Sequence, residues 1–409
     1  MKVVFVNRFF YPDESATSQL LCDLAFDLAE QGWDVHVVAS RMRHEDPAAQ
    51  LPPEEAIRGV HVHRTRTSRF GRGNLLGRAV DSVSFHVSAG VRLLRLLDRG
   101  DIVVAKTDPP MISVIAAWAC RLRGAVLVNW LQDVFPEVAE RLGVKAARGL
   151  PGRLLRGLRD RSLRRAAANV ALGEGMAQYL RERIPGRADT VQVIENWSDG
   201  TRVHPVDAKA NPLRKAWGLD DRFVVAYSGN HGRVHEFETV LDAFERLRDA
   251  PRIALLFIGS GPRRAGVEDE VRRQALSAVH FQPMQPREQL SESLSVGDVH
   301  LVILKPELEG LVVPSKVYGV AAAGRAAIFI GDPRGEAARI LEREGSGFTV
   351  QEGDGAGLAG LIRRLESDRA EVAAVGRRAR AGFEARHDRR VAVARWIALL
   401  ENVASTTRG

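Results

Sequence analysis

The stretch Lys305-Pro306-Glu307-Leu308-Glu309-Gly310-Leu311-Val312-Val313-Pro314-Ser315-Lys316 mixes acids, glycine and lysine just ahead of an apolar run that reads as helix. A carboxylate such as Glu309 can accept hydrogen bonds from sugar hydroxyls, and Lys316 or a helix N-terminus can neutralise a departing phosphate. The same charges would also suit a solvated loop. Ser228-Gly229-Asn230-His231-Gly232-Arg233 and Phe257-Ile258-Gly259-Ser260-Gly261-Pro262 place pairs of glycines where a backbone would approach an anion, although a tight turn uses glycine equally well. Asn129-Trp130-Leu131-Gln132-Asp133-Val134-Phe135-Pro136-Glu137 offers Asp133 and Glu137 either to substrate hydroxyls or to the start of a helix. Lys106-Thr107-Asp108-Pro109-Pro110 and the long segment from Asn7 to Ser18, with Arg8, Asp13, Glu14, Thr17 and Ser18, complete the set.

Each of these segments follows a short β-branched run. Val3 to Val6, Val35 to Ala39, Ile102 to Ala105, Ala125 to Trp130 and Val191 to Ile194 alternate with amphipathic stretches such as Asp23 to Glu30 and Ile112 to Leu122. That rhythm predicts parallel strands with crossover helices, an α/β architecture. A polar, proline-bearing stretch from Ser198 to Pro212 interrupts it. The rhythm then resumes with Val224 to Tyr227, Ala254 to Ile258, Val279 to Phe281, Val299 to Leu304 and Ala327 to Ile330. The reading is two Rossmann-like, doubly wound domains facing a cleft, residues 1–200 and 201–385. A final helix within 386–409, carrying Trp396, Leu399 and Leu400, packs back on the first domain. Open α/β sheets bind ligands beyond the carboxyl ends of their strands, which is where the segments above fall.

The chain has 409 residues, above the roughly 250 to 300 at which a single core stops growing. Its 45% hydrophobic and 27% charged composition suits an ordinary globular enzyme, and no span reaches membrane-crossing length. Cys22 and Cys120 have no pairing or ligand spacing, and the N-terminal run lacks a signal-peptide pattern, so a cytoplasmic chain is expected. No cluster of His, Cys or acidic residues has metal-ligand spacing either, so neither a metal nor a cofactor is expected. The net charge of +8 favours acidic partners, but only 6% of residues are aromatic and no base-reading motif occurs, which argues against nucleic acid. Arginines 153, 156, 159, 161, 164 and 165 form a basic helical stretch that would either lean on anionic lipid or face solvent. No G-x-G-x-x-G fingerprint follows the first strand, which lowers the odds of a dinucleotide oxidoreductase.

Phe10-Tyr11-Pro12 after the first strand, Gln31-Gly32-Trp33-Asp34-Val35 after the first helix, Ser228-Gly229-Asn230, Glu195-Asn196-Trp197 and Pro314-Ser315-Lys316 together resemble the family-4 retaining glycosyltransferases of the GT-B fold. The likeness runs over nearly the whole chain, and the subgroup making bacterial surface polysaccharides is the most similar. The resemblance implies a hexosyltransferase that takes a sugar from a nucleotide-sugar, UDP-linked by family likeness, to a lipid-linked glycan at the inner face of the cytoplasmic membrane. It implies Asp133, Arg233, Glu309 and Lys316 as the catalytic set, and a donor site of Gly229, Asn230, Gly232, Arg233, His235, Gly259, Gly261, Met284, Glu309, Gly310, Leu311, Val312, Ser315 and Lys316. The acceptor would meet Thr17, Ser18, Lys106 and Asp133. Glu309 falls on the first glutamate of the family's E-x7-E pattern, whereas the second, a ribose ligand, falls on Val317. The family's diphosphate-holding arginine and lysine fall on Asn230 and about His235, leaving Arg233 and Lys316 as substitute cations. A nucleotide-sugar epimerase of the same fold and a non-catalytic nucleotide-sugar-binding subunit are the rival readings.

Overall fold

The computed structural model describes residues 1–44, 46, 48–70 and 75–408. The chain forms two compact units, one of residues up to Glu195 together with the chain from Val393 on, the other Asn196–Ala392. The break thus falls at 195/196 and 392/393, inside the final helix Arg389–Arg408, where 200/201 and 385/386 were expected.

The first unit holds strands β1 (Val3–Val6), β2 (Val35–Ser40), β3 (Glu54–Ile57), β4 (Val60–Thr65), β5 (Ile102–Lys106), β6 (Val126–Trp130), β7 (Ala168–Ala171) and β8 (Val191–Val193), in the order β3-β4-β2-β1-β5-β6-β7-β8. All neighbours are parallel except β3 and β4. The central strands β1 and β5 are buried along their whole length, as continuous apolar runs covered on both faces must be. β3, at the sheet edge, and β4, next to it, escape a hydrophobicity reading because they are charged and histidine-bearing. Arg58 and Gly59, both at positive φ, turn one into the other as a two-residue hairpin requires. Helix Ile112–Arg123 and the helix ending at Leu96 supply the apolar layer over one face. Trp396 of the final helix is fully buried, its ring 4.7 Å from that of Trp130.

The second unit contains β9 (Phe223–Ser228), β10 (Ile253–Ile258), β11 (Val279–Gln282), β12 (Val299–Ile303), β13 (Ala326–Ile330) and β14 (Gly347–Val350), an all-parallel sheet in the order β11-β10-β9-β12-β13-β14. Order reverses between β9 and β12, the position at which doubly wound sheets open a crevice. Val225, Tyr227, Leu255, Phe257, Leu301 and Ile328 form its core with helices Glu238–Arg246 and Gly355–Ser367.

Candidate active site

At the carboxyl edge of the second sheet, the loops after β9, β10 and β11 are laced together by backbone. Gly229 N–H donates to Ile258 O (2.9 Å), His231 N–H to Ser260 O (2.8 Å) and Gly259 N–H to Gln282 O (3.1 Å). Gly259 and Gly261 stand at φ 127° and 145°. A Cβ on the first would lie 2.1 Å from Gly229 O, and one on the second 2.4 Å from Asn230 Oδ1. These glycines are therefore required by loop-on-loop contact. Arg264, which no sequence signal singled out, ties the same loops by donating to Gly259 O and, at 2.9 Å, to Gln282 O.

Lys316 opens the helix Lys316–Ala322 and folds its side chain over the first of these loops, where a Cβ on Gly229 would come within 2.9 Å of Lys316 Cε. His235 is buried, and its Nδ1 lies 2.7 Å from Ile303 O. A carbonyl can only accept, so Nδ1 carries the proton and Nε2 is left as an acceptor, 3.5 Å from Lys316 Nζ. The Tyr227 ring lies 4.8 Å from the same ammonium. Burial holds Lys316 down to about 8, and burial together with the lysine charge holds His235 down to about 3, so the histidine stays neutral. His231, fully buried, is likewise held to about 4 by desolvation. His235 is thus a support for the lysine. Arg233, Asn230, Ser315 and Met284 are exposed on this edge, and Gly232 is buried.

Glu309 precedes Gly310, which takes φ 74°. Its Oε1 accepts from Glu336 N–H at 2.8 Å, at the start of helix Glu336–Glu344, and burial pushes its carboxyl up. Leu311 is buried and Val312 half-buried. Val317 is a core residue, packed with Tyr318, Ile340 and Leu341. A ligand-facing glutamate in this helix would have to lie on the face of Lys316, one turn on. That position is Gly319, which has no side chain.

In the first unit, the segment from Asn7 ends at Ser15, and Thr17 and Ser18 belong to the first turn of helix Ala16–Glu30. Thr17 Oγ1 donates to Asp108 Oδ2 at 3.0 Å. Ser18 is fully buried and donates to Asp13 O at 3.0 Å, so its hydroxyl holds the loop and is not presented to an acceptor. Lys106, the last residue of β5, is also fully buried. Its Nζ lies 3.4 Å from the Trp130 ring centre with no hydrogen-bond partner among the described residues, and burial pushes its pKa well below the usual lysine value. Asp133 is exposed at the surface, yet protein crowds around it in a recess with Phe135, Arg159 and Leu163, and this crowding, followed by the Asp108 charge, raises its carboxyl to about 6. Glu137, offered by sequence as a second hydroxyl binder, is instead buried. It pairs with Arg159 (2.8 and 3.2 Å) and accepts from Tyr179 OH at 2.7 Å.

Arg159 is thereby removed from the basic helical stretch, and Arg156 pairs with Glu140. Arginines 153, 161, 164 and 165 remain exposed on helix Gly149–Arg165, beside Leu150 (79% exposed) and Leu154 (65%). Among the described residues no helix is long and apolar enough to cross a membrane. Sequence spacing offered no metal-ligand cluster, but the parallel register of β2 and β4 brings Asp34, His36 and His61 together at the opposite edge of the sheet.

Residues 17–197 match the glycosyl transferase 4-like domain, and residues 210–382 match glycosyl transferases group 1. The chain is 27% identical over 300 residues to a protein named probable glycosyltransferase WbjE of Pseudomonas aeruginosa, covering 73% of this chain and 74% of that one. It is 29% identical over 282 residues to WcaI of Escherichia coli K12, described as a colanic acid biosynthesis glycosyl transferase, with 61% and 66% covered. Among solved structures, HepE of Anabaena in complex with UDP and glucose superposes with a TM-score of 0.72 at 18% identity, over 98% of this chain and 100% of that one. WaaG, a glycosyltransferase involved in lipopolysaccharide biosynthesis, gives 0.69 at 14%, over 100% of both. The chain accordingly belongs to the GT-B-fold glycosyltransferases, a 4-like domain followed by a group 1 domain.

Proposed function

We propose that this glycosyltransferase moves a hexose from a nucleotide-sugar, a UDP-sugar first of all, with retention of anomeric configuration, onto a lipid-linked glycan in cell-surface polysaccharide assembly. The observation that carries the donor reading is the Lys316 ammonium, held by the His235 imidazole and the Tyr227 ring above the Gly229 loop. A partly desolvated cation fixed before the reaction begins costs no reorganisation when the diphosphate departs. HepE, similar in fold, is known in complex with UDP and with UDP-glucose, and WcaI lends the polysaccharide context.

In this reading Lys316 and Arg233 take up the charge of the leaving diphosphate. Glu309, Gly310, Leu311, Val312 and Ser315 flank the donor with Gly229, Asn230, Gly232, Gly259, Gly261 and Met284. The bond from the anomeric carbon to the diphosphate breaks as the acceptor oxygen bonds to that carbon from the same face, and Asp133 accepts the hydroxyl proton. Thr17 belongs with Asp133 on the acceptor side through its bond to Asp108, and Lys106 lies behind them. No metal is assigned to the transfer. The acceptor's lipid would be met where Leu150 and Leu154 stand out among the exposed arginines of their helix, an apolar stripe with cationic flanks suited to an anionic surface from the cytoplasmic side.

A thermal-shift screen against UDP, GDP, ADP, CMP and dTDP tests the donor. A ligand at 100 times its Kd stabilises by about 2.7 kcal/mol, and a selective shift with one diphosphate is expected. No shift with any of them would favour a non-catalytic role. Co-sedimentation with anionic vesicles, present at low salt and weakened by salt or by Leu154→Asp, tests the membrane contact.

A further inference from the structure

On the face of the first sheet away from its ligand-binding edge, Asp34, His36, His61, His63 and Glu54 line up across three strands. Residues alternate faces along a strand, so Asp34 and His36 share one face, as do His61 and His63. Register sets His36 beside His61, and Glu54 beside His63. The rings of His36 and His61 stack with centres 4.8 Å apart. His63 Nδ1 lies 2.5 Å from Glu54 Oε2, and His63 Nε2 lies 2.8 Å from His36 Nδ1. Arg92 closes on both Glu54 and His63 Nδ1 from the neighbouring helix, so that carboxylate already has its countercharge.

At His63 Nδ1 an acceptor, Glu54, and a donor, Arg92, converge, so hydrogen bonds can run along this row in either direction. With an ion on His36 Nε2, His36 Nδ1–H donates to His63 Nε2 and His63 Nδ1–H to Glu54; without one, His36 Nε2–H donates to Asp34 Oδ1, 3.0 Å away. That proton makes no use of His61. A metal ion would use all three side chains, whose ligand atoms lie within 4.8 Å of one another. Two imidazoles and one carboxylate form the nitrogen and oxygen set that a borderline divalent ion takes, with further positions left to water. Asp34 and His61 are exposed, and Asp34 also lines an open depression with Lys2, Asp98 and Asp101, which gives an ion its path.

We propose that Asp34, His36 and His61 form a binding site for a zinc-class divalent cation at the amino ends of β2 and β4, with His63 Nε2 as the outer hydrogen-bond partner of His36 Nδ1. The site lies on the edge of the sheet opposite Asp133 and Thr17, so it clips the outer strands together and takes no part in sugar transfer. Outer hydrogen-bond partners of metal-bound histidines commonly govern affinity by about 10- to 100-fold, which is the role assigned to His63.

Zinc uptake by tag-free full-length protein, measured by competition with a chromophoric chelator, tests the site alongside the melting temperature with and without zinc. One ion per chain is expected, with a higher melting temperature that a chelator reverses. His61→Ala and Asp34→Asn, both at exposed positions, should each weaken uptake by about tenfold or more, and His63→Gln by about 10- to 100-fold. None of the three should alter the nucleotide-induced thermal shift, which separates failure of this site from failure of the donor reading. Absence of uptake by the unaltered protein, or uptake undiminished in His61→Ala, would overturn the site and leave a proton as the link between His36 and Asp34.

Discussion

The ligand-facing edges of the two sheets are built from the same topology by different means. In the second unit the loops lock through backbone, because glycines at 229, 259 and 261 let the chains approach within van der Waals contact. Side chains are thereby released, and Lys316 is left with only a neutral histidine and an aromatic ring as supports. In the first unit backbone bonds recur, Arg8 N–H to Asp108 O at 2.6 Å and Leu131 N–H to Val170 O at 3.0 Å, but side chains add to them. Thr17 bonds Asp108, Gln132 N–H bonds Thr107 Oγ1 at 2.8 Å, and the Glu137–Arg159 pair anchors the loop after β6 from beneath. Burial then acts with opposite consequences. It lowers Lys316 to about 8 and raises Asp133 to about 6, so that between these values both groups are ionised. The contrast teaches that one physical cause, desolvation in the loops and helix starts at a sheet's carboxyl edge, yields a weakened cation on one edge and a weakened acid on the other.

The largest effect should come from breaking the lock of the first edge. Glu137→Ala removes the bidentate partner of buried Arg159, leaving Asp160 at 2.7 Å as its countercharge, and takes the acceptor from Tyr179 OH, which together should cost about 4 kcal/mol, read by urea unfolding. Lys316→Ala should instead spare stability and lower turnover, the barrier rising by about 3 to 4 kcal/mol in steady-state kinetics. If Lys316→Ala unfolded the protein while Glu137→Ala lowered turnover alone, the comparison would be inverted.

Next in size is a pair of substitutions on the helix Lys316–Ala322. Gly319→Glu would put a carboxylate on the ligand-facing side and should tighten UDP by about tenfold, the scale of a charge-assisted hydrogen bond. Val317→Glu would bury an unpaired acid and should lower the melting temperature with no gain in UDP affinity. Equilibrium titration and thermal unfolding of the two variants distinguish the positions.

The smallest effect is the pH profile. Activity on limiting substrate should rise as Asp133 ionises near 6 and fall as Lys316 loses its proton near 8, with Asp133→Asn removing the acidic limb and Lys316→Arg the basic one. Stability follows a different sign for the lysine. Its folded pKa lies below the ordinary 10.5, so the cost of burying its charge is fully present below about 8 and fades as pH rises towards 10.5. A basic limb in the activity profile should therefore not be accompanied by a loss of stability from this group.

Much of this was written in local sequence. Continuous apolar runs announced the central strands, since a strand buried on both faces has no room for polar side chains, and glycine, proline and charge at their ends marked the loops. The resemblance of those loops named the family. Local pattern failed at β3, β4, β7 and β14, which carry charge, histidine, alanine or glycine in place of a β-branched run, and at residues whose role depends on a distant partner. Glu137 and Asp133 read alike four positions apart. Only packing turned one towards Arg159 and left the other at the rim. Likewise Gly261 read as a phosphate-binding glycine until the neighbouring loop showed what it must clear.

Two α/β units and the rims on which their ligands would be met follow from the order of residues along the chain, because hydrophobic periodicity and turn chemistry are local. The tertiary structure alone decided that Lys316 meets His235 and Tyr227, that Val317 faces the core, and that Asp34, His36 and His61 share one face. Those facts depend on strand register and on which loops adjoin, and they arise only when residues far apart in the chain are brought side by side.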